Sequence, residues 1–231
     1  MIDEEDYTEI DMNKSLLLFS GGLDTTTLLY WLVDEGVPVQ CLCFDYGQQA
    51  IKEIECAKET CEKLHVKYEV MDLKNLNING DLGKGGNIES LTDIIIPNRN
   101  SIFLAIATNY AIMHGCKNVY IGSKLGQKAC LDEQPAFIEQ FNELNKVSDV
   151  TQVNIKAPLI YMDLMNVLDL ALSLNVPLND SWSCFSGEKQ KCGKCGNCKT
   201  IPEVVQNKIE EYEDYLKNLN EYLASFPPTT E

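Results

Sequence analysis

Apolar residues in this chain fall into short runs that alternate with longer amphipathic stretches. The runs at residues 16–19, 39–44, 68–73, 119–121 and 153–157 read as strands, and 39–44 is a continuous apolar run of the kind found in a parallel sheet. Between them, residues 25–35, 51–64, 101–114, 135–146 and 164–174 carry apolar side chains at helical spacing. In the second stretch the stripe reads Ile51, Ile54, Ala57, Cys61, Leu64; in the fourth it reads Phe137, Ile138, Phe141, Leu144. Gly36 and Pro38 end the first helix and Gly115 the third. Strands alternating with helices predict an α/β fold built on a doubly wound parallel sheet.

Two segments break the alternation. Residues 75–90 are rich in Asn and Gly without a period, which predicts a long loop of the kind that is often functional, and the short apolar run 94–96 stops at Pro97. From residue 179 the pattern stops and a cysteine-rich module begins. It is followed by a charged helix over 202–223 and a tail over 225–231. The apolar positions of that helix (Val204, Val205, Ile209, Tyr212, Leu216, Leu219, Leu223) predict packing on its own domain. The predicted division is an acidic extension over 1–12, an α/β domain over 13–178 and a C-terminal module with its helix over 179–231.

Ligands of doubly wound sheets sit beyond the carboxyl ends of the strands. Those ends carry Ser20-Gly21-Gly22-Leu23-Asp24-Thr25, then Asp45-Tyr46-Gly47-Gln48, then Gly122-Ser123-Lys124. The first motif joins a strand to a helix. Its glycines allow close backbone approach to an anion, and the helix start offers free N–H groups and a positive dipole end. No Gly-Lys-Ser/Thr follows, so the loop is not a Walker loop. The plain alternative is an ordinary strand–helix turn, but the full motif at the first such junction favours nucleotide binding.

The cysteines sharpen the reading of the C-terminal module. Of ten in the chain, Cys41, Cys43, Cys56, Cys61, Cys116 and Cys130 are scattered through strand-like and helix-like segments as small apolar residues of a reducing compartment. Cys184, Cys192, Cys195 and Cys198 gather, with Gly193 and Gly196 turning the backbone between them. Four thiolates at this spacing favour a closed, structural zinc site over an iron–sulfur cluster or a redox-active cysteine pair. The net charge of −16 argues against large nucleic acid as the main partner. No apolar run is long enough to span a membrane, and the first twelve residues carry six acids and no base, unlike a secretory signal; the expected location is the cytoplasm. His65 and His114 are the only histidines, and both fall in helix-like stretches away from the motifs.

Together these motifs resemble the QueC-type 7-cyano-7-deazaguanine synthase family of PP-loop ATP pyrophosphatases, in a divergent form. The resemblance runs from residue 16 to 199. It rests on SGGLDTT at 20–26, FDYGQ at 44–48, IPNRN at 96–100, IGS at 121–123, APL at 157–159 and WSC…CGKCGNC at 182–198. It implies a PP-loop (adenine nucleotide alpha hydrolase-like) fold and a homodimer. The implied reaction adenylates the carboxylate of 7-carboxy-7-deazaguanine with Mg²⁺-bound ATP and releases pyrophosphate. Ammonia then gives the amide, and a second activation gives the nitrile. Ser20, Asp24, Thr25 and Arg99 are the implied catalytic residues. Ser20, Gly21, Gly22, Leu23, Asp24, Thr25, Tyr46, Gln48, Gly122 and Lys124 are the implied nucleotide contacts, and Tyr46, Gln48, Asn98, Arg99, Asn100 and Asp132 the implied contacts to the base.

The chain departs from the family pattern at four places. Thr25 stands for the usual Ser, and Ala50 lies where a basic or His residue is usual. Cys130-Leu131-Asp132-Glu133-Gln134 replaces a Tyr-Pro-Asp-Cys-Arg stretch, retaining only Asp132, and Leu164 stands for a lysine. Three alternatives stay open: a QueC-like ligase of an antiviral system that passes the activated base to an amine of a partner protein, a PP-loop tRNA-modifying enzyme, and a non-catalytic zinc-binding module on an inactive nucleotide fold.

Overall fold

Strand β1 (Ser15–Leu18) is buried along its whole length, and alternation of its side chains divides the core in two. Leu16 and Leu18 enter one apolar cluster, while Leu17 and the following Phe19 enter the other. Beside β1 run β2 (Val39–Asp45), β3 (Tyr68–Asp72), β4 (Asn118–Tyr120) and β5 (Asn154–Lys156), giving a five-stranded sheet of order β3-β2-β1-β4-β5. Every pairing is parallel; Leu17 lies opposite Cys41 of β2 and Tyr120 of β4. The computed structural model describes residues 13–78, 96–125, 130–186 and 190–224. The acidic extension 1–12, most of the loop predicted over 75–90, the start of the run 94–96 and the tail from 225 lie outside the described residues; within that loop Lys74–Leu76 form a 3₁₀ turn.

Helices α1 (Leu23–Asp34), α2 (Lys52–Lys63) and α5 (Leu164–Ser173) cover one face through Leu28, Leu29, Leu32, Ala57, Cys61 and Val167. Helices α3 (Arg99–Met113) and α4 (Pro135–Ser148) cover the other through Leu104, Ala107, Ala111, Ile138 and Phe141. This is the doubly wound arrangement that the alternation predicts. The last helix, α6 (Gly196–Ala224), is tied to α5 by Lys208 Nζ, 3.0 Å from Asp169 Oδ1. No helix among the described residues is long and apolar enough to cross a membrane.

Three differences from the periodicity reading have physical causes. The buried face of α2 keeps Ala57 and Cys61 of the expected stripe and adds Cys56 and Thr60, while Ile51, just before the helix, is 44% exposed. In α4, Leu144 is exposed and Asn145 takes the buried position. There the neighbouring strand is an edge strand whose backbone needs partners. Asn145 Nδ2 donates to the Val153 carbonyl at 3.0 Å, and Asn142 exchanges two bonds with the backbone of Ile155. Finally, α6 begins at Gly196 rather than at Pro202, and so takes Cys198 into its first turn. Pro202 falls inside this helix, where its ring nitrogen cannot donate to the Cys198 carbonyl one turn back.

The chain runs from β1 outward through β2 and β3, then crosses back to lay down β4 and β5 on the other side. The carboxyl ends of β1 and β4 are therefore the switch point of the sheet, where a crevice must open.

Candidate active site

The loop after β1 is held in shape by contacts that only glycine permits. Gly21 has φ +82°, and a Cβ there would lie 2.1 Å from the Glu53 carbonyl oxygen of α2. Gly22 caps α1 in an extended conformation and, having no side chain, supplies no side-chain cap. Ser20 Oγ and Thr25 Oγ1 lie 3.0 Å apart, and Ser20 Oγ also accepts from the Gly22 amide at 3.2 Å. Across the switch point, a Cβ on Gly122 would lie 2.6 Å from Thr25 Cγ2, so the segment after β4 approaches the loop as closely as its backbone allows.

Charge gathers around this loop. Lys124 Nζ lies 2.6 Å from Asp24 Oδ2, while Asp24 Oδ1 is buried with no hydrogen-bond partner among the described residues. Arg99 opens α3. Its Nη1 is 3.5 Å from the Tyr46 hydroxyl, its Nη2 is 3.9 Å from Glu133 Oε1, and its guanidinium lies over the Phe103 ring. Burial raises the carboxyl pKa of Glu133, against the pull of Arg99. Burial likewise raises the Tyr46 hydroxyl against Arg99. Burial pushes the Glu53 carboxyl, at the start of α2, up to about 8, again with Arg99 opposing.

The remaining sequence-predicted residues reach the same edge but are bonded to the protein itself. The Gln48 amide donates to the Phe44 carbonyl at 3.1 Å and accepts from the Tyr46 amide at 3.0 Å, so it shapes the turn that presents Tyr46. Asn98 caps α3 with φ +54°, a conformation Asn adopts more readily than most residues. Asp132 accepts from the Asn100 backbone amide at 3.0 Å, and Asn100 Nδ2 donates to the Asp132 carbonyl at 3.0 Å. That exchange anchors the replaced segment 130–134 to the start of α3 and brings Glu133 beside Arg99; residues 126–129 lie outside the described set. Leu164 starts α5, where Asp163 and Asn166 form a capping box.

Sequence reasoning missed Glu53 and Glu133. Glu53 had a legible signal, since it lies three and four residues before Cys56 and Ala57 and so continues the buried stripe of α2 with an acid. Glu133 had none, because only the tertiary fold carries it to Arg99. Both histidines sit at the far ends of α2 and α3, whose first turns face the site.

Cys184, Cys192, Cys195 and Cys198 bring their sulfurs within 4.8 Å of one another and can hold a metal ion. Backbone amides turn toward them. Lys194 and Cys195 donate to Cys192 Sγ at 3.4 Å, lowering that thiol to about 6, while Cys192 and Ser186 donate to Cys184 Sγ. Trp182 and Cys184 pack with Ala50 and Cys56 at the start of α2. The strand of chain before the cysteines also closes the loop: the Trp182 amide donates to the Gly21 carbonyl at 2.9 Å, and the Leu23 amide donates to Ser183 Oγ at 3.3 Å. The cysteine module is thereby the back wall of the glycine loop.

The family model for "Queuosine biosynthesis protein QueC" matches residues 14–204. A 7-cyano-7-deazaguanine synthase of Hahella chejuensis is 34% identical over 83% of this chain and 87% of its own length. A 7-cyano-7-deazaguanine synthase of Psychromonas ingrahamii is 34% identical over 87% of this chain and 98% of its own. Among solved structures, the U34-tRNA thiolase NcsA from Methanococcus maripaludis, with its [4Fe-4S] cluster, shares the fold at a TM-score of 0.52 and 17% identity, over 94% of this chain and 74% of that one.

Proposed function

This chain belongs to the QueC family, and we propose that it activates the carboxylate of 7-carboxy-7-deazaguanine with ATP and passes the activated carbon to ammonia, yielding first the amide and then 7-cyano-7-deazaguanine. The observation that carries the reading is the placement of the glycine loop, Lys124 and Arg99 around one switch point. A carboxylate is a poor electrophile. Joining AMP to its oxygen supplies a good leaving group, and the chain's task is to hold two anions together while that bond forms. The positive start of α1 beyond Leu23, with the hydroxyls of Ser20 and Thr25, would bind the phosphates. Arg99 would take the carboxylate of the base, and Tyr46 its ring.

The residues present fit both metals of this reading. The unpartnered Asp24 Oδ1 would help hold Mg²⁺, which offsets charge on the leaving pyrophosphate when bound. Thiolates within 4.8 Å of one another suit a single zinc ion, whose ligands at about 2.3 Å stand about 3.8 Å apart, better than a cluster that must fit between them. With four cysteines and no open position, such an ion would be structural.

The deciding experiment is pyrophosphate release from ATP and Mg²⁺ with 7-carboxy-7-deazaguanine, with and without ammonia, followed by mass spectrometry of the base. Pyrophosphate with nitrile is expected. Pyrophosphate that stops at the adenylate would redirect the search to an amine of a partner protein, and no turnover by folded, metal-loaded protein would sink the proposal. In the same assay Arg99→Met should raise KM for the base by about 10- to 100-fold, the loss of one charge-assisted contact, with KM for ATP little changed. An equal rise in both constants would count against a base-binding role.

A further inference from the structure

Glu133 is the acid that the fold carries to Arg99. It ends a short 3₁₀ turn, Leu131–Glu133, whose middle residue is bonded to the start of α3. Asp132 Oδ2 accepts from the Asn100 amide at 3.0 Å, and the Asp132 carbonyl accepts from Asn100 Nδ2 at 3.0 Å. Asp132, a contact to the base by resemblance, is thereby engaged in holding the segment, and its neighbour is the residue beside the arginine. Glu133 Oε1 stops 3.9 Å from Arg99 Nη2, and the two side chains keep 32% and 30% of their surface open. We infer that Glu133 accepts the N1–H and 2-amino protons of the base, and so selects a guanine-type ring. The inference rests on the substrate reading given above.

The geometry of the pair favours this role. An arginine and a carboxylate that serve only to neutralise each other close to about 2.7–2.9 Å and bond side by side. At 3.9 Å no hydrogen bond joins Arg99 and Glu133, and among the described residues none reaches the Glu133 carboxylate. An ionised carboxylate only accepts, and covering it with a ligand that brings no donor is costly. The pair therefore presents donors next to acceptors with a gap between them. A guanine-type base carries the complementary row along one edge. Its C7 carboxylate and C6 carbonyl accept, and N1–H and the 2-amino group beyond them donate. With Arg99 on the acceptors, Glu133 meets the donors, and every N–H faces a lone pair. An adenine-type ring would set its N1 lone pair against the carboxylate, which is repulsive. Burial raises the Glu133 pKa, while the charges of Arg99 and Lys124 oppose it and favour the ionised, accepting form. The other acid facing this edge from the glycine loop, Asp24, is held by Lys124 at 2.6 Å.

The test is Glu133→Gln in the full-length, metal-loaded protein. The substitution keeps the size of the side chain but leaves one accepting oxygen where the carboxylate has two. Pyrophosphate release from ATP is measured against the concentration of 7-carboxy-7-deazaguanine and of the same base without its 2-amino group. Wild type should prefer the complete base by about 10- to 100-fold in kcat/KM, the worth of one charge-assisted hydrogen bond. In the variant, KM for the complete base should rise by about 10- to 100-fold and KM for the deaminated base much less, so that the preference largely disappears. KM for ATP should change little. A lower KM for both bases would show that Glu133 only restrains Arg99. Equal loss with both bases, in KM or in turnover, would reduce it to a support for its segment. Either result, unchanged constants, or a wild type that uses both bases equally well would overturn the assignment and leave the substrate reading standing. Wild-type protein that releases pyrophosphate with neither base would overturn that reading itself, and is a result the variant cannot mimic.

Discussion

Gly21→Ala is expected to lose about 100-fold or more in ATP-dependent pyrophosphate release, because misplacement of a binding loop by about 1 Å has that cost. Two effects act together. The left-handed φ of +82° is strained for any residue with a Cβ, and the added methyl would lie 2.1 Å from the Glu53 carbonyl and 2.9 Å from the Ala57 amide nitrogen. Both contacts are helix backbone, so no flexible side chain can swing away, and either α2 or the loop must move. Movement of α2 would carry Glu53 with it, and movement of the loop would pull on its bond to the Trp182 amide. Nucleotide binding measured by calorimetry, together with the pyrophosphate assay, checks this. Wild-type affinity and turnover in the variant would show that the loop is not the phosphate site. Gly36 is the natural control, since its φ is also positive but nothing lies within 4 Å of a Cβ there.

Removing the metal proposed for the four cysteines should be as damaging by a different route. Four thiols around an ion contribute folding free energy on the order of 10 kcal/mol, and the segment they organise has little other core. Without it, Trp182 should leave its contacts with Ala50, Cys56 and Cys184, and the bonds from Trp182 and to Ser183 that brace Gly21 and Leu23 should be lost. In a Trp31→Phe background, chelation is therefore expected to shift Trp182 emission to longer wavelength, lower the melting temperature and abolish pyrophosphate release together. Cys195→Ser should reproduce the set. Elemental analysis should find zinc; iron with acid-labile sulfide would instead favour a cluster. A chelated protein that keeps both its emission and its turnover would remove the bracing role from the module.

Much of this site can be read along the chain because its residues are neighbours in sequence. The glycine loop, the turn Asp45–Gln48 and the cysteine ladder are each local devices, dictated by φ, by turn chemistry and by ligand spacing. Gln48 shows where that legibility ends. Its presence at the right strand end is visible in the sequence, but its amide being spent on the backbone of Phe44 and Tyr46 is not. Asn100 and Asp132 are likewise visible as polar residues near the site, and only the fold joins them to each other.

The sequence by itself determined the alternation of strands and helices, the loop at the first junction and the four-cysteine module, because periodicity and steric freedom act over a few residues. The tertiary structure decided what depends on distant segments meeting. It set the strand order that puts β1 beside β4, the contact of Gly122 with Thr25, the pairing of Lys124 with Asp24 and the bracing of Gly21 by Trp182. It also decided the setting of Glu53: a carboxyl on a helix face is exposed or desolvated according to what the fold brings against it, and the charge that bears on it, Arg99, comes from α3.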